Sequence, residues 1–394
     1  MKRFTFVLTI FLLLIGCNKD KDVIPSPPTV EDPKENEDPM EDIANYVVLD
    51  GFIGQWHQST KLSSDGNVLV TGYKRTGQKY NMIVTKTNTL GEIIFSTLVH
   101  QQNSKGMGVY EDGQQNIYVV GSAFEESWYV DRRLAVAKLD KNGNVIWEQI
   151  YHPEEYILGI SISALNDNEI IVSGSTENQS NLVLLKIDSL GQEISFKTID
   201  SPDDYKTPSS MLVLQDGNIL ITDYGNNKFN LTWFDQEFNV LWEKSYGEDH
   251  RVCRSSIQLN DGSIVTVGEQ THVKEGSNVI DSSKVLIIKT DPKGELLWEK
   301  EVGDTKYLND GQSIAVNQDG SFVINGYALS DHLNNTDHMI IYVDADGNEI
   351  NSRYFTDEKT FRGANIIKVE NDRNVMTGGY QGGTYFLNVD NYGN

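Results

Sequence analysis

Two cysteines in 394 residues, Cys17 and Cys253, leave no material for a disulfide framework. Cys17 falls in the leader discussed below, so Cys253 stands alone and reads as a small buried apolar residue rather than a nucleophile. Proline is scarce, and five of its nine occurrences (Pro25, Pro27, Pro28, Pro33, Pro39) crowd into one short stretch. Positive charge is also short, at 33 Lys and Arg against 57 Asp and Glu. A net charge of −24 repels phosphate backbones, so a nucleic-acid partner is not expected. Sustained helical periodicity is missing beyond the leader. So are a Gly-rich phosphate loop, HExxH and GxSxG, and no pair of carboxylates can be assigned acid and base roles. No reaction is legible in the chain, no cofactor is expected, and an enzyme is the less favoured reading.

What is present begins with an address. Lys2 and Arg3 precede an apolar run from Phe4 to Ile15, too short to cross a bilayer comfortably and shaped like a signal-peptide core. It ends in Leu14-Ile15-Gly16-Cys17, which resembles the lipobox of bacterial lipoproteins. The resemblance implies acylation of Cys17, cleavage before it, and membrane attachment through acyl chains worth roughly 0.8 kcal/mol per buried CH₂. Asn18-Lys19-Asp20-Lys21-Asp22 resembles the stretch that follows the Cys in surface-exposed lipoproteins of Bacteroidetes-type bacteria. The domains expected are therefore a leader at 1–17, a disordered acidic, Pro-rich tether at 18–43, and a folded part at 44–394.

The folded part repeats. A strand, an Asp-Gly turn and a strand ending near Gly run from Leu62 to Gly72 and recur near Asp112, Asp167, Asp216, Asp261, Asp319 and Asp372. Each copy is followed by an apolar strand, an Asx-x-x-Gly turn and another strand. These turns start at Asn88, Asp140, Asp188, Asp235, Asp291, Asp344 and Asp390, with Gly three residues on in every copy except that of Phe238. Asx accepts a local N–H and Gly takes the positive φ that returns the chain to the ladder, so a distorted turn is expected at Phe238. Asp344 to Asn348 is such a turn and not a calcium loop, since the distal Glu and the flanking helices are missing. Four strands repeated seven times predict an all-β, seven-bladed β-propeller with four antiparallel strands per blade. The last repeat ends one strand short, and Tyr46 to Leu49 fits the vacant position, so an N-terminal strand is expected to close the last blade.

Tight turns occupy one rim of such a ring and leave the longer loops on the other, where binding residues tend to gather. The candidates there are Trp128, Tyr129, Arg132, Arg133, His152, Tyr156, Tyr205, His250, Arg251, His272, His332, Phe361 and Arg362. The loop histidines, which also include His100 and His338, read as scattered solvated side chains, and no metal site is expected. Trp147, Trp242 and Trp298 recur four residues after the turn glycine position and read as packing between blades.

The phrase Lys138-Leu139-Asp140-Lys141-Asn142-Gly143-Asn144-Val145-Ile146-Trp147 resembles the tryptophan-bearing repeats of quinoprotein-like propellers, as does Lys289 to Trp298. The Asp-to-Gly spacing is one residue shorter than theirs and adjacent cysteines are lacking, so the resemblance implies the fold and not the quinone cofactor. The phrase Asp-Gly-x-Ile/Val-x-Val-x-Gly also resembles short propeller repeats of bacterial surface lipoproteins. These features together imply a monomeric, lipid-anchored binding or scaffold module for a protein or glycan, exposed on the outer membrane. A glycan-active hydrolase or lyase and an outer-membrane assembly factor are the alternatives.

Overall fold

The computed structural model describes residues 46–390 except 50–58, 101, 126–130, 177–180, 201–206, 224, 248–249, 275, 277–279, 331–335, 356–360, 370–372 and 381–382. The leader, the tether and Cys17 lie outside the described residues. Every regular element described is a β-strand except one 3₁₀ turn, Gly225–Asn227.

The strands form antiparallel meanders of four. Four-stranded sheets span 59–99, 104–151, 157–199 and 208–246, and a fifth combines three strands from 361–390 with Tyr46–Leu49. In that fifth sheet Tyr46 pairs with Leu387 and Leu49 with Thr384, so the N-terminal strand supplies the fourth position. Seven separate sheets were expected, and here the structure differs. Residues 251–302 and 307–355 fold as two meanders of four but belong to one eight-stranded sheet. The join is a single parallel pair, Ser283 with Leu308. It forms because Ile280–Thr290 runs to 11 residues, so its start meets the start of Tyr307–Val316. Ser283 Oγ donates to the Asn309 carbonyl at 2.9 Å, and Asn309 Nδ2 donates to the Ser283 carbonyl at 2.9 Å.

Burial explains why such sheets need one another. The second and third strands, such as Ile117–Ala123 and Leu182–Asp188, are buried almost throughout, whereas fourth strands such as Val145–Tyr151 expose most of their length. One four-stranded sheet cannot cover both faces of its middle strands. Each apolar cluster accordingly draws on two successive meanders. Val120, Leu134, Val172 and Leu185 share one cluster, and Val267, Ile287, Ile324 and Ile341 share another across the two halves of the joined sheet. Leu49, Val70, Val375 and Phe386 tie the last meander to the first.

The turns follow the repeat chemistry. At Asp140 the backbone N–H donates to the Asn144 carbonyl at 2.8 Å and Gly143 N–H donates back to the Asp140 carbonyl at 3.0 Å. Oδ1 of Asp140 accepts from the N–H groups of Asn142 and Asn144. The expected distortion at Phe238 does not occur. Phe238 adopts φ 64°, its N–H reaches the Asp235 carbonyl at 3.1 Å, and its ring is buried. The reason lies in the neighbouring meander. At four other turns the glycine lies under an aromatic ring of the preceding meander: Gly143 under Phe95, Gly191 under Trp147, Gly294 under Trp242 and Gly347 under Trp298. Before Phe238 the equivalent position is Ser195, which carries no ring. The turn supplies the aromatic volume instead, and burying a Phe offsets the roughly 1–2 kcal/mol of a left-handed non-Gly residue.

Candidate functional site: the central cavity

Seven inner strands surround a cavity of about 260 Å³: Ser59–Leu62, Ser104–Glu111, Ile157–Asn166, Pro208–Val213, Arg251–Gln258, Tyr307–Val316 and Phe361–Val369. Its geometry depends on a repeated irregularity. The pairing of six of these strands with their neighbours slips by one residue, between Gly106 and Gly108, Gly159 and Ser161, Pro208 and Ser210, Cys253 and Ser255, Gly311 and Ser313, and Gly363 and Asn365. Each slip is a β-bulge that leaves one residue out of the ladder and re-aims it. The extra residues Met107, Ile160, Ser209, Arg254 and Gln312 all line the cavity. The bulge also explains the last glycine of the repeat. A Cβ on Gly121 would overlap the Lys105 carbonyl oxygen, and one on Gly268 would overlap that of Val252.

The lining has two characters. Met107, Leu158 and Ile160 form an apolar sector, while Ser209, Ser255, Ser256, Gln312, Ser313 and Asn365 offer hydroxyls and amides. Among the described residues two cations complete it, Lys61 and Arg254, and no carboxylate, histidine or tyrosine lines the cavity. Arg254 is held from behind: Nε and Nη2 donate to Asp310 Oδ1 and Oδ2 at 3.2 and 2.7 Å, and the Tyr327 hydroxyl donates to Oδ2 at 2.9 Å. Burial disfavours the Arg254 charge, but the Asp310 carboxylate beside it more than compensates and raises its pKa. Nearby Glu269 is raised by burial and by the Asp310 charge, and accepts from Ser283 Oγ at 2.6 Å and Thr271 Oγ1 at 3.0 Å. Lys61 keeps solvent contact, and the protein around it lowers its pKa by desolvation.

The candidates read from the sequence lie elsewhere. Trp128, Tyr129, Tyr205 and His332 fall outside the described residues, as do the side chains of Phe361 and Arg362. None of the others lines the cavity. Arg133 and Tyr156 come together, the guanidinium 4.2 Å from the ring centre. Arg132 is buried. His152 stacks on Phe196 and contacts Glu193 at 2.9 Å, Arg251 grips both oxygens of Glu299 at 2.8 Å, and His272 meets Glu301 at 2.7 Å. His250 adopts φ 69° and accepts from Thr271 N–H. Two histidines read as solvated are buried: His100, and His338, which lies within a strand rather than a loop. Among the described residues, no group of three His, Cys, Asp or Glu is placed to hold a metal ion. The cavity residues themselves were missed. Their signal was the glycine just before four of the six bulges, at Gly106, Gly159, Gly311 and Gly363.

Meanders of four around a cavity walled by their first strands define a β-propeller. No family model and no curated protein matches the chain. Solved structures do match it. Virginiamycin B lyase from Staphylococcus aureus is 12% identical, with 87% of this chain and 99% of that one covered and a TM-score of 0.57. An ulvan lyase, a polysaccharide lyase bound to a GlcA–Rha3S saccharide, is 9% identical over 88% and 96% of the two chains, with a TM-score of 0.56. Sqt1 from Chaetomium thermophilum is 8% identical over 89% and 98%, with a TM-score of 0.52. At such identities the likeness is one of fold.

Proposed function

We propose that this protein is a lipid-anchored binding module of the bacterial outer surface that holds one polar unit of a glycan or peptide in its central cavity. In this reading the joined sheet counts as two blades, because its halves bury Val267, Ile287, Ile324 and Ile341 between them as separate blades do, and the ring has seven. The observation that carries the binding role is the cavity wall. Inner strands from the whole ring converge hydroxyls, amides and two cations on about 260 Å³, below the roughly 300–1,000 Å³ of drug-sized sites and suited to a single sugar residue or side chain. The lipobox-like Leu14-Ile15-Gly16-Cys17 and the tether support the anchor. Neighbours of the same fold include both a polysaccharide lyase and Sqt1, so the fold accommodates glycan-active and other roles.

The test is a glycan array probed with the full chain in detergent, followed by a glycosidase and lyase panel on whatever binds. Binding without turnover is expected, and turnover of any substrate would overturn the binding role. One observation favours elimination chemistry as the second reading. The ammonium of Lys61 is held at a lowered pKa in the cavity, where its neutral form could abstract a proton next to a sugar carboxylate. Appearance of an unsaturated uronide would establish that reading.

A further inference from the structure

The chain carries 57 acidic and 33 basic residues, yet among the described residues its cavity wall holds two cations and no acid. Asp310 stands behind Arg254, and Glu269 is tied up by Ser283 and Thr271. Asp65 and Glu111 pair with Lys86 at the tight-turn rim. Arg254 is pushed into the cavity by its bulge and has a quarter of its side chain exposed, while Asp310 behind it is almost wholly covered. An incoming group therefore meets the guanidinium first. No ion pair to Lys61 forms among the described residues, so a ligand's negative charge would improve its electrostatic surroundings. Screening over about 8 Å at physiological salt keeps the remote acidic surface from dictating affinity inside the cavity.

We propose that the cavity selects an anionic sugar residue, its carboxylate or sulfate answered by Lys61 and Arg254 and its apolar face set against Met107 and Ile160. The hydroxyls of Ser255, Ser256 and Ser313 remain for the sugar hydroxyls. This rests on the binding role proposed above and adds the ligand's charge.

Calorimetric titration of the full chain in detergent with methyl β-glucuronide, methyl β-glucoside and methyl β-glucoside 6-sulfate tests it. An anionic probe should bind about tenfold more tightly than the neutral glucoside, since charge-assisted hydrogen bonds are the stronger class. Preference between the two anions identifies the source of the charge. In Lys61→Gln and Arg254→Gln the contrast should shrink to about threefold or less, with Arg254→Lys keeping part of it. Arg254→Gln leaves Asp310 buried without its cation, so its melting is followed in parallel. Lys61→Gln removes no described ion pair and carries the test if the other variant fails to fold. Equal affinity for charged and neutral probes, or an unchanged contrast in Lys61→Gln, would overturn the anionic selectivity and leave the binding role standing. Failure of all three probes would also overturn it, and the array then judges the binding role separately.

Discussion

Backbone conformation explains several of the polar residues that first look functional. His100 and His152 follow the fourth strands of their meanders at φ 52° and 47°, and Gly247 and Gly303 occupy the same step with φ 76° and 102°. These histidines serve a turn. His338 has a different burden. It is fully buried, its Nδ1 shares a hydrogen bond with the Tyr385 hydroxyl at 2.5 Å, and burial lowers its pKa to about 3. A group depressed in the fold and near 6.5 when unfolded takes up its proton preferentially in the unfolded chain, so stability falls as pH drops from 6.5 towards 3. Adjacent Asp337, raised by burial to about 6, acts in the opposite sense between about 6 and 3.8 and offsets part of this. Replacing His338 with Gln should therefore remove a loss that sets in near pH 6.5 and approaches about 1.4 kcal/mol per pH unit between about pH 5.5 and 4, which urea unfolding at stepped pH would measure. Cys253 is fully buried, donates to the Asp223 carbonyl at 2.7 Å, and is pushed up to about 12 by burial and the Asp223 charge. Native protein should resist iodoacetamide at this thiol, with alkylation appearing only on unfolding.

Between residues and ring stands the four-stranded meander, whose two recurring devices make separate predictions. The bulge brings an inner-strand carbonyl against the last glycine of the repeat, so Gly121→Ala should cost about 2–4 kcal/mol in denaturant unfolding despite adding one methyl. A surface glycine such as Gly113, where a Cβ would meet nothing, is the control and should change little. The second device is the aromatic lid over the turns at Gly143, Gly191, Gly294 and Gly347. Phe238→Gly should cost about 3 kcal/mol or more through the cavity it leaves. Adding Ser195→Trp, which recreates the arrangement of Trp147 over Gly191, should recover a substantial part of that loss, whereas Ser195→Trp alone should clash with Phe238. An additive double variant would show that the two positions do not share one volume.

The ring as a whole depends on closure. Tyr46–Leu49 pairs with the last strand of the chain, and Leu49 belongs to the cluster that joins the last meander to the first. Removing residues 44–50 should lower the melting temperature of the entire propeller and not of one sheet, because the exposed edge and the opened apolar cluster lie at the only junction that chain connectivity does not hold. A melting curve unchanged by the deletion would show that the strand is dispensable.

The repeat phrases carried much of the architecture because each is local chemistry. Asp140 bonds its own turn, Gly143 takes a positive φ within it, and the apolar run Val285 to Ile288 requires cover on both faces whatever lies beyond. These are properties of a few neighbouring residues, so the order of letters determined strands, turns, four-strand units and the closing role of Tyr46–Leu49. Tertiary structure alone decided the rest. The eight-stranded join depends on two strand ends meeting in space at Ser283 and Leu308, and Phe238 is tolerated because of a serine 43 residues earlier. The cavity wall takes Lys61 and Arg254 from strands far apart in the chain, and the bulge that aims Arg254 is concealed by a strand's alternating pattern. A one-residue slip reverses which side chains face inward, and that reversal belongs to the pairing of strands rather than to either strand alone.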